Sequence, residues 1–199
     1  MNFLAHLHLS PGGGLVRVGN FMADAVKGRD LSDYPDELAH GIRLHRAIDQ
    51  FTDSHPEVRS FRRHFSPHLR HYSAVAQDVL FDHYLANRWE ELGSGTPLTH
   101  FAQNCYAELM EAREFLPDRT QRMTDALVRE NWLEAYASED GTHGILVQMS
   151  RRTLPGNGLD RAMEHFSPHR TALEVHFDRF WPELVDFVTA YSAAPDEAR

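Results

Sequence analysis

Apolar residues recur at helical spacing along most of the chain, and this pattern predicts an all-α fold. The clearest case is a central helix from Asp36 to Asp53, which should end there because Pro56 disfavours helix in the residue before it. No segment alternates between apolar and polar residues over the length of a strand. At about 100° per residue, the apolar residues of the central helix form one stripe, made of Leu44, Ala47, Ile48 and Phe51.

Glycine and proline clusters divide the rest of the chain into further predicted helices. The second helix is expected to begin at Asn20, acting as N-cap, and to end at Gly28. Pro182 is expected to kink the last helix or to start a new one. We predict one helical domain over residues 1–192 and a disordered tail over 193–199. Besides the central helix, the predicted helices cover residues 2–9, 20–28, 57–71, 72–92, 97–117, 118–136, 144–152 and 168–191.

A second stripe on the central helix is polar and consists of His45, Asp49, Thr52 and Asp53. One face of this helix can therefore pack while another carries chemistry. Plainer interpretations remain open. His45 and Asp49 could simply hydrogen-bond along the helix, Arg46 could form a salt bridge with Asp49, and Asp53 could brace the helix end.

The helix predicted over residues 72–92 also carries acidic groups, since Asp78 and Asp82 lie one turn apart with His83 beside them. Because this segment is apolar almost all round, it should be buried, where two unpaired carboxylates are costly. A positive group must therefore face them. Arginines from elsewhere could neutralise the carboxylates instead of a metal, and His83 could be a hydrogen-bonded core histidine.

Carboxylates and neutral imidazoles suit a divalent cation, and a hydrolytic site leaves positions open for water and substrate. Such a cation lowers the pKa of bound water and polarises a phosphoryl oxygen. Of His6 and His8, which point in different directions on a helix, we favour His6. The predicted metal ligands are His6, Asp24, His45, Asp49, Asp78, Asp82 and His83. The predicted catalytic residues are Asp49, Asp82, Lys27 and Arg46, of which the two cations would stabilise charge on the phosphoryl oxygens.

The chain is acidic, with 29 acidic against 20 basic residues and a formal net charge of -9. This balance argues against a nucleic-acid-binding surface and requires a local basic patch for any anionic partner. Residues 57–71 hold four arginines and almost no acid, which predicts either a docking surface for an acidic partner or a solvated helix face. The predicted docking residues are Arg59, Arg62, Arg63 and Arg70, with Arg151 and Arg152 as second candidates.

Several other functions are disfavoured by missing motifs. Gly12-Gly13-Gly14 lacks the following Lys and Ser or Thr of a phosphate-binding loop, and neither G-x-S-x-G nor H-E-x-x-H occurs. The lone cysteine, Cys105, excludes an internal disulfide framework. We expect a cytoplasmic protein, because no stretch is apolar enough to span a membrane and no targeting segment is recognisable at the start.

The segments MNFLAHLHL, GNFMADAVKG, GIRLHRAIDQFTDSHPEV and DVLFDHYLANRW together resemble the acyl carrier protein phosphodiesterase family, with weaker similarity at MSRR and RFWPEL. That family is similar to the all-helical HD-type metal-dependent phosphohydrolases, so the resemblance implies an HD-domain-like fold. It also implies hydrolysis of the phosphodiester that joins 4′-phosphopantetheine to a serine of holo acyl carrier protein. The implied cofactor is a divalent metal, usually Mn²⁺, with Mg²⁺ or Fe²⁺ as alternatives.

One departure limits what this resemblance implies about the site. A standard HD site contains an adjacent His-Asp pair, whereas no His-Asp dipeptide occurs here and Asp82-His83 has the reverse order. The ligand set therefore rests on helical spacing together with the resemblance. Two alternative functions stay open, namely an HD-like phosphohydrolase acting on a nucleotide or other small phosphate ester, and a non-catalytic helical protein that binds a carrier protein.

Overall fold

The fold is all-α, as predicted, in a computed structural model that describes residues 2–93 and 95–194. Over those residues every regular element is helical and no strand occurs. Short 3₁₀ turns join several helices, among them Ala23–Ala25 after the second helix. The α-helices are α1 (Phe3–His8), α2 (Gly14–Met22), α3 (Asp36–Ser54), α4 (Pro56–Leu69), α5 (Ser73–Asn87), α6 (Trp89–Leu92), α7 (Leu98–Glu111), α8 (Asp118–Arg129), α9 (Trp132–Ala135), α10 (Glu139–Arg151), α11 (Ala162–Phe166) and α12 (Arg170–Ala193).

The boundaries of the second helix were predicted wrongly. The helix α2 begins at Gly14 and ends at Met22, so Asn20 lies inside it and is fully buried instead of acting as N-cap. The backbone of Gly12–Gly14 has positive φ angles, which glycine adopts readily, and this turn allows α2 to begin early. Gly28 also has a positive φ but lies beyond the helix.

Other boundaries agree with the sequence more closely. The central helix α3 begins at the predicted Asp36 and ends at Ser54, one residue later than expected. The segment 72–92 is divided at Arg88 into α5 and α6, and α12 continues through Pro182 without a new helix starting there. The proposed domain boundary stays a prediction. Residues 195–199 of the predicted tail lie outside the described residues.

The two helices α2 and α3 cross at very short distance because each has a glycine at the contact. A Cβ atom at Gly19 would lie 2.2 Å from the carbonyl oxygen of Leu38, and one at Gly41 would lie 2.1 Å from that of Val16. Real side chains never approach backbone this closely, so the contact requires glycine on both helices. This close crossing brings Asn20 of α2 beside His45 of α3.

The helix α5 runs through the core, as its all-round apolar character predicts, with Val79, Leu80 and Phe81 fully buried. It also fixes α1, since the carboxylate of Asp82 accepts hydrogen bonds from three backbone N–H groups at the start of α1. Among the described helices, none is long and apolar enough to cross a membrane.

Candidate metal centre

Three side chains from two helices meet at one point. His6 comes from α1, and His45 and Asp49 lie one turn apart on α3, as the polar stripe predicts. The carboxylate oxygens of Asp49 lie 3.3 Å from Nε2 of His6 and 3.1 Å from Nε2 of His45. One nitrogen or oxygen atom from each residue lies within 4.8 Å of the others, close enough for a single cation to contact all three.

The amide of Asn20 sets the orientation of both imidazoles. Its Oδ1 lies 2.8 Å from Nδ1 of His6 and 3.1 Å from Nδ1 of His45. Its NH₂ group donates to the carbonyl oxygen of His6 and to the hydroxyl of Ser10, so the oxygen must be the atom that faces the rings. Each neutral ring therefore carries its proton on Nδ1 and presents the lone pair of Nε2, the arrangement that metal-binding histidines usually have.

Stacking holds the two imidazoles side by side. The ring centroids of His6 and His45 are 4.1 Å apart and the planes differ by 20°. Both rings are almost completely buried, whereas the side chain of Asp49 is 42% exposed. The Nε2 atoms thus lie at the inner end of the site while the carboxylate reaches the open side. Asp24 lies further out, with its side chain 85% exposed and its Oδ1 3.3 Å from Nε2 of His45.

The electrostatics of the cluster fit a cation. Burial and the nearby His45 lower the pKa of His6 to about 4, so this ring is neutral at pH 7. Its Nε2 is buried and makes no hydrogen bond to any described residue, although an Asp49 oxygen lies opposite. Two groups with only lone pairs to offer repel each other, and a bound metal ion would relieve that repulsion.

A proton on His45 can also offset the charge of the Asp49 carboxylate. Burial alone would lower the pKa of His45, but hydrogen bonds to the Asp24 and Asp49 carboxylates, and their charge, raise it to about 9. Burial would likewise raise the pKa of Asp49, yet the hydrogen bond from protonated His45 holds it well below the usual range. Asp49 is therefore ionised, and the positive charge beside it comes either from a bound metal ion or from the proton on His45.

These residues border a cavity of about 220 Å³ that continues along α3 toward Asp53. Its wall also includes Asp78 of α5, one of the predicted ligands, and Arg62 of α4. The guanidinium of Arg62 donates through Nε to Gln77 and through Nη2 to Asp53. From the part of the chain that the structure describes, the cavity therefore brings together four carboxylates, two imidazoles and one guanidinium. An anionic substrate would be repelled there unless a cation offset the carboxylates.

The family model described as acyl carrier protein phosphodiesterase matches residues 1–184 of this chain. The chain belongs to the acyl carrier protein phosphodiesterase family. Proteins named acyl carrier protein phosphodiesterase from Pectobacterium atrosepticum, Klebsiella pneumoniae and Salmonella agona are 37%, 35% and 34% identical to it over 185 residues. Each alignment covers 93% of this chain and 96% of the relative. No solved structure matches it. The family resemblance drawn from the sequence is thereby confirmed.

Two of the predicted metal ligands, Asp82 and His83, do not line the cavity. Asp82 is fully buried and its oxygens accept the N–H groups of Asn2, Leu4 and Ala5, so it caps α1. Burial raises its pKa to about 7, although these three donors oppose the shift. Nδ1 of His83 lies 2.7 Å from the carbonyl oxygen of Tyr136, within the core. Both positions favour structural roles, and neither residue enters our proposal.

The two predicted catalytic cations also lie outside the cavity wall. Lys27 is exposed beyond the 3₁₀ turn that carries Asp24. Arg46 donates from Nη2 to the carbonyl oxygen of Val26 and so braces that turn. Their catalytic roles stay predictions. Among the described residues, the cation that lines the cavity is Arg62, which the sequence suggested only as a docking residue.

The predicted docking arginines divide into one inward and several outward residues. Arg59, Arg63 and Arg70 are exposed on or just after α4, whereas Arg62 is half-buried. Arg151 and Arg152 are exposed at the end of α10, and the guanidinium of Arg152 lies 5.3 Å from the ring centroid of Trp132. Two exposed arginines on α4 and a third just after it therefore lie on the segment that carries Arg62 to the cavity wall.

Proposed function

We propose that this protein hydrolyses the phosphodiester between 4′-phosphopantetheine and a serine of holo acyl carrier protein, giving the apo carrier protein. The family match and the curated relatives named acyl carrier protein phosphodiesterase support this activity. The observation that carries the proposal for this chain is the cluster of His6, His45 and Asp49, whose donor atoms converge at the wall of a cavity.

We propose a divalent cation, Mn²⁺ in the first instance, as the cofactor. His6 and His45 would hold it through Nε2 and Asp49 through a carboxylate oxygen, with Asp24 and Asp78 as further oxygen donors near the same cavity. A mixed nitrogen and oxygen donor set suits Mn²⁺, Fe²⁺ or Zn²⁺ better than Mg²⁺. When bound, the cation supplies Lewis acidity and an activated water.

Arg62 is proposed to orient the phosphodiester. Its contacts to Gln77 and Asp53 use two of its five N–H donors and fix the guanidinium plane at the cavity wall. The remaining donors can hydrogen-bond to a nonbridging oxygen, on which negative charge grows as the diester is attacked. Because the guanidinium is fixed before substrate binds, little reorganisation is needed at that moment.

Arg59, Arg63 and Arg70 are proposed to receive the carrier protein. Acyl carrier proteins are strongly acidic, and this enzyme carries a net charge of -9, so attraction between the two requires a local basic surface. The three side chains are exposed, and α4, which carries Arg59 and Arg63, also carries Arg62 into the cavity. A carrier protein docked on α4 would thus place its modified serine near the cavity entrance.

Incubation of holo carrier protein with the purified protein, with Mn²⁺ or with a chelator, tests the proposal by intact-mass measurement. We expect loss of the phosphopantetheine mass only with the metal. His45→Ala and Asp49→Asn should remove this activity while leaving helical circular dichroism unchanged, and the exposed His100→Ala serves as the matched control.

The alternative functions give different results in the same experiment. A small-ester phosphohydrolase would leave the holo carrier protein intact while hydrolysing a nucleotide or other small phosphate ester. A non-catalytic binding protein would leave every substrate intact with metal present. Either result would refute the carrier-protein activity.

A further inference from the structure

A second cavity, of about 330 Å³, lies directly beside the first. The two share part of their walls, namely Phe3, Phe21 and Asp24. The rest of its lining comes from the end of α2, the following 3₁₀ turn and α8, and it combines apolar side chains such as Met22 and Met123 with the polar Thr120 and Arg119. Its volume is at the lower end of the ~300–1,000 Å³ range of small-molecule sites. It is therefore large enough to hold a slender organic chain.

The wall shared by the two cavities, which we call the junction, lies at one end of the metal centre. Asp24, which both cavities share, is within 3.3 Å of His45. Asp53 lies two turns after His45 on α3, a distance of about 12 Å at the usual helical rise, and it pairs with Arg62. Arg62 and Asp53 line only the first cavity. A phosphodiester beside Asp49 would thus have the basic helix α4 on one side and the second cavity on the other.

We infer that the second cavity binds the pantetheine chain, so that the serine branch of the substrate leaves toward Arg62. This inference rests on the proposed function. The phosphorus of the substrate carries two branches, and the serine branch belongs to a folded protein that cannot enter a cavity of this size. The pantetheine branch is narrow, uncharged and partly apolar, with a gem-dimethyl group and two amides.

The chemistry of the wall suits that branch. Phe3, Phe21 and Met123 offer apolar surface to methyl and methylene groups, and Thr120 offers a hydroxyl. Asp24 is the shared carboxylate at the junction, and Arg119 lies on the exposed side of the cavity. The charged groups that the structure describes in this wall, Asp24 and Arg119, are both exposed, so the buried part of the wall offers a neutral chain only uncharged side chains.

Filling the second cavity tests the inference. Met123→Trp places a larger side chain in it, while Arg122→Trp puts the same residue on the solvent side of α8 as a matched control. With Mn²⁺ present, we expect Met123→Trp to lower kcat/KM for holo carrier protein by roughly tenfold or more. Hydrolysis of bis(4-nitrophenyl) phosphate, which lacks the chain, should change by less than about twofold. Arg122→Trp should alter neither rate.

A binding measurement gives a readout that does not depend on turnover. Calorimetry with pantetheine alone should detect binding to the wild-type protein and to Arg122→Trp, and weaker binding to Met123→Trp. Thr120→Leu is a smaller change in the same wall and replaces Met123→Trp if that variant does not fold. It is expected to weaken pantetheine binding in the same direction.

The outcomes separate the two proposals. If the wild-type protein does not release phosphopantetheine, the proposed function fails. If it does, but both cavity variants keep wild-type kcat/KM for the carrier protein and wild-type pantetheine binding, this inference is overturned while the function stands. An equal loss on the carrier protein and on the small diester in a folded variant also overturns it, because the effect would then lie at the metal centre.

Discussion

One amide side chain controls both imidazoles of the metal centre. Asn20 accepts a hydrogen bond from Nδ1 of His6 and of His45, and its own NH₂ group is held by α1 and by Ser10. The neutral imidazoles are thus fixed in the tautomer that can bind a metal before any metal arrives. Residues that hydrogen-bond to metal ligands commonly have a large effect on metal affinity, because they fix the orientation and tautomer of the ligand.

Replacing Asn20 by Leu should weaken Mn²⁺ binding by about 10–100-fold, because the rings lose their common acceptor and can rotate or change tautomer. Isothermal titration of the purified protein with Mn²⁺ measures this. Asn157→Ala removes another buried asparagine, which does not line the cavity, and controls for a general loss of stability. Equal Mn²⁺ affinity in wild type and Asn20→Leu would show that Asn20 does not position the rings.

His83 should make the folded state less stable in mild acid. Burial lowers its pKa in the folded protein below that of the unfolded chain, so the unfolded state binds the extra proton first. Stability should therefore fall as the pH drops below about 6.5, by at most ~1.4 kcal/mol per pH unit for one group. Urea unfolding at about pH 7.5 and 5.5 measures this, and His83→Gln should reduce the difference. An identical pH dependence in wild type and variant would contradict it.

At this scale the sequence identified some site residues and missed others for a physical reason. Helical spacing on α3 singled out His45 and Asp49. On α1 the spacing implied only that one of His6 and His8 could face the site; His6, the one we favoured, lies in the cluster, whereas His8 packs against Trp89. Asn20 was interpreted as a helix N-cap because asparagine is common at that position, and the sequence alone does not distinguish a cap from a buried amide. An asparagine in the middle of an otherwise apolar helical segment is the signal that could have found it.

The glycines where α2 crosses α3 make the centre possible at the level of elements. Gly19 and Gly41 let the two backbones touch, and this contact sets the distance between Asn20 on one helix and His45 on the other. A wider crossing would separate the amide from the ring. The metal centre therefore depends on residues that have no functional groups.

Gly41→Ala should destabilise the protein by about 1–3 kcal/mol or more, because its Cβ would overlap the carbonyl oxygen of Val16. It should also lower Mn²⁺ affinity by moving α2 away from α3. Gly144 lies in α10, where a Cβ would contact nothing within 4 Å, so Gly144→Ala should stabilise by about 0.5–1 kcal/mol. Urea unfolding of both variants tests the pair, and a Gly41→Ala protein as stable as wild type would disprove the close contact.

Element types were predictable from hydrophobic spacing, but the neighbours of each element were not. Asp78 and Asp82 lie on one face of α5, as their spacing implies, yet Asp78 lines the cavity and Asp82 caps α1. The periodicity of a single helix does not indicate which other element packs against each of its turns. Glycine clusters such as Gly12–Gly14 were recognised as boundaries between helices, but a run of glycines does not indicate whether a helix starts immediately after it.

Over the whole molecule, charge is segregated in a way that net charge conceals. The chain is acidic, yet α4 presents Arg59 and Arg63 outward and Arg62 into the cavity. Neighbouring arginines therefore have different proposed tasks, docking for the exposed pair and phosphate orientation for the inward one. The sequence predicted the basic patch but could not assign these directions, because Arg62 turns inward only through its partners Gln77 and Asp53.

Arg63→Glu should raise the Michaelis constant for holo carrier protein severalfold at low ionic strength, with little change for a small phosphodiester, because it alters only long-range attraction. Arg62→Gln should instead lower turnover of both substrates by about tenfold or more, because a donor to the phosphoryl oxygens is lost. Steady-state kinetics on the two substrates at two salt concentrations separates the cases. Parallel effects of both substitutions would refute this division of roles.

Trp132 gives the molecule an internal optical reporter. It is 1% exposed, its ring lies 6.0 Å from that of Phe3, and Phe3 belongs to the wall shared by the two cavities. The other two tryptophans, Trp89 and Trp181, contact His8 instead. A molecule that displaces Phe3 should therefore change the emission of one fluorophore while the other two act as an internal baseline, so that ligand entry can be followed in real time without a label.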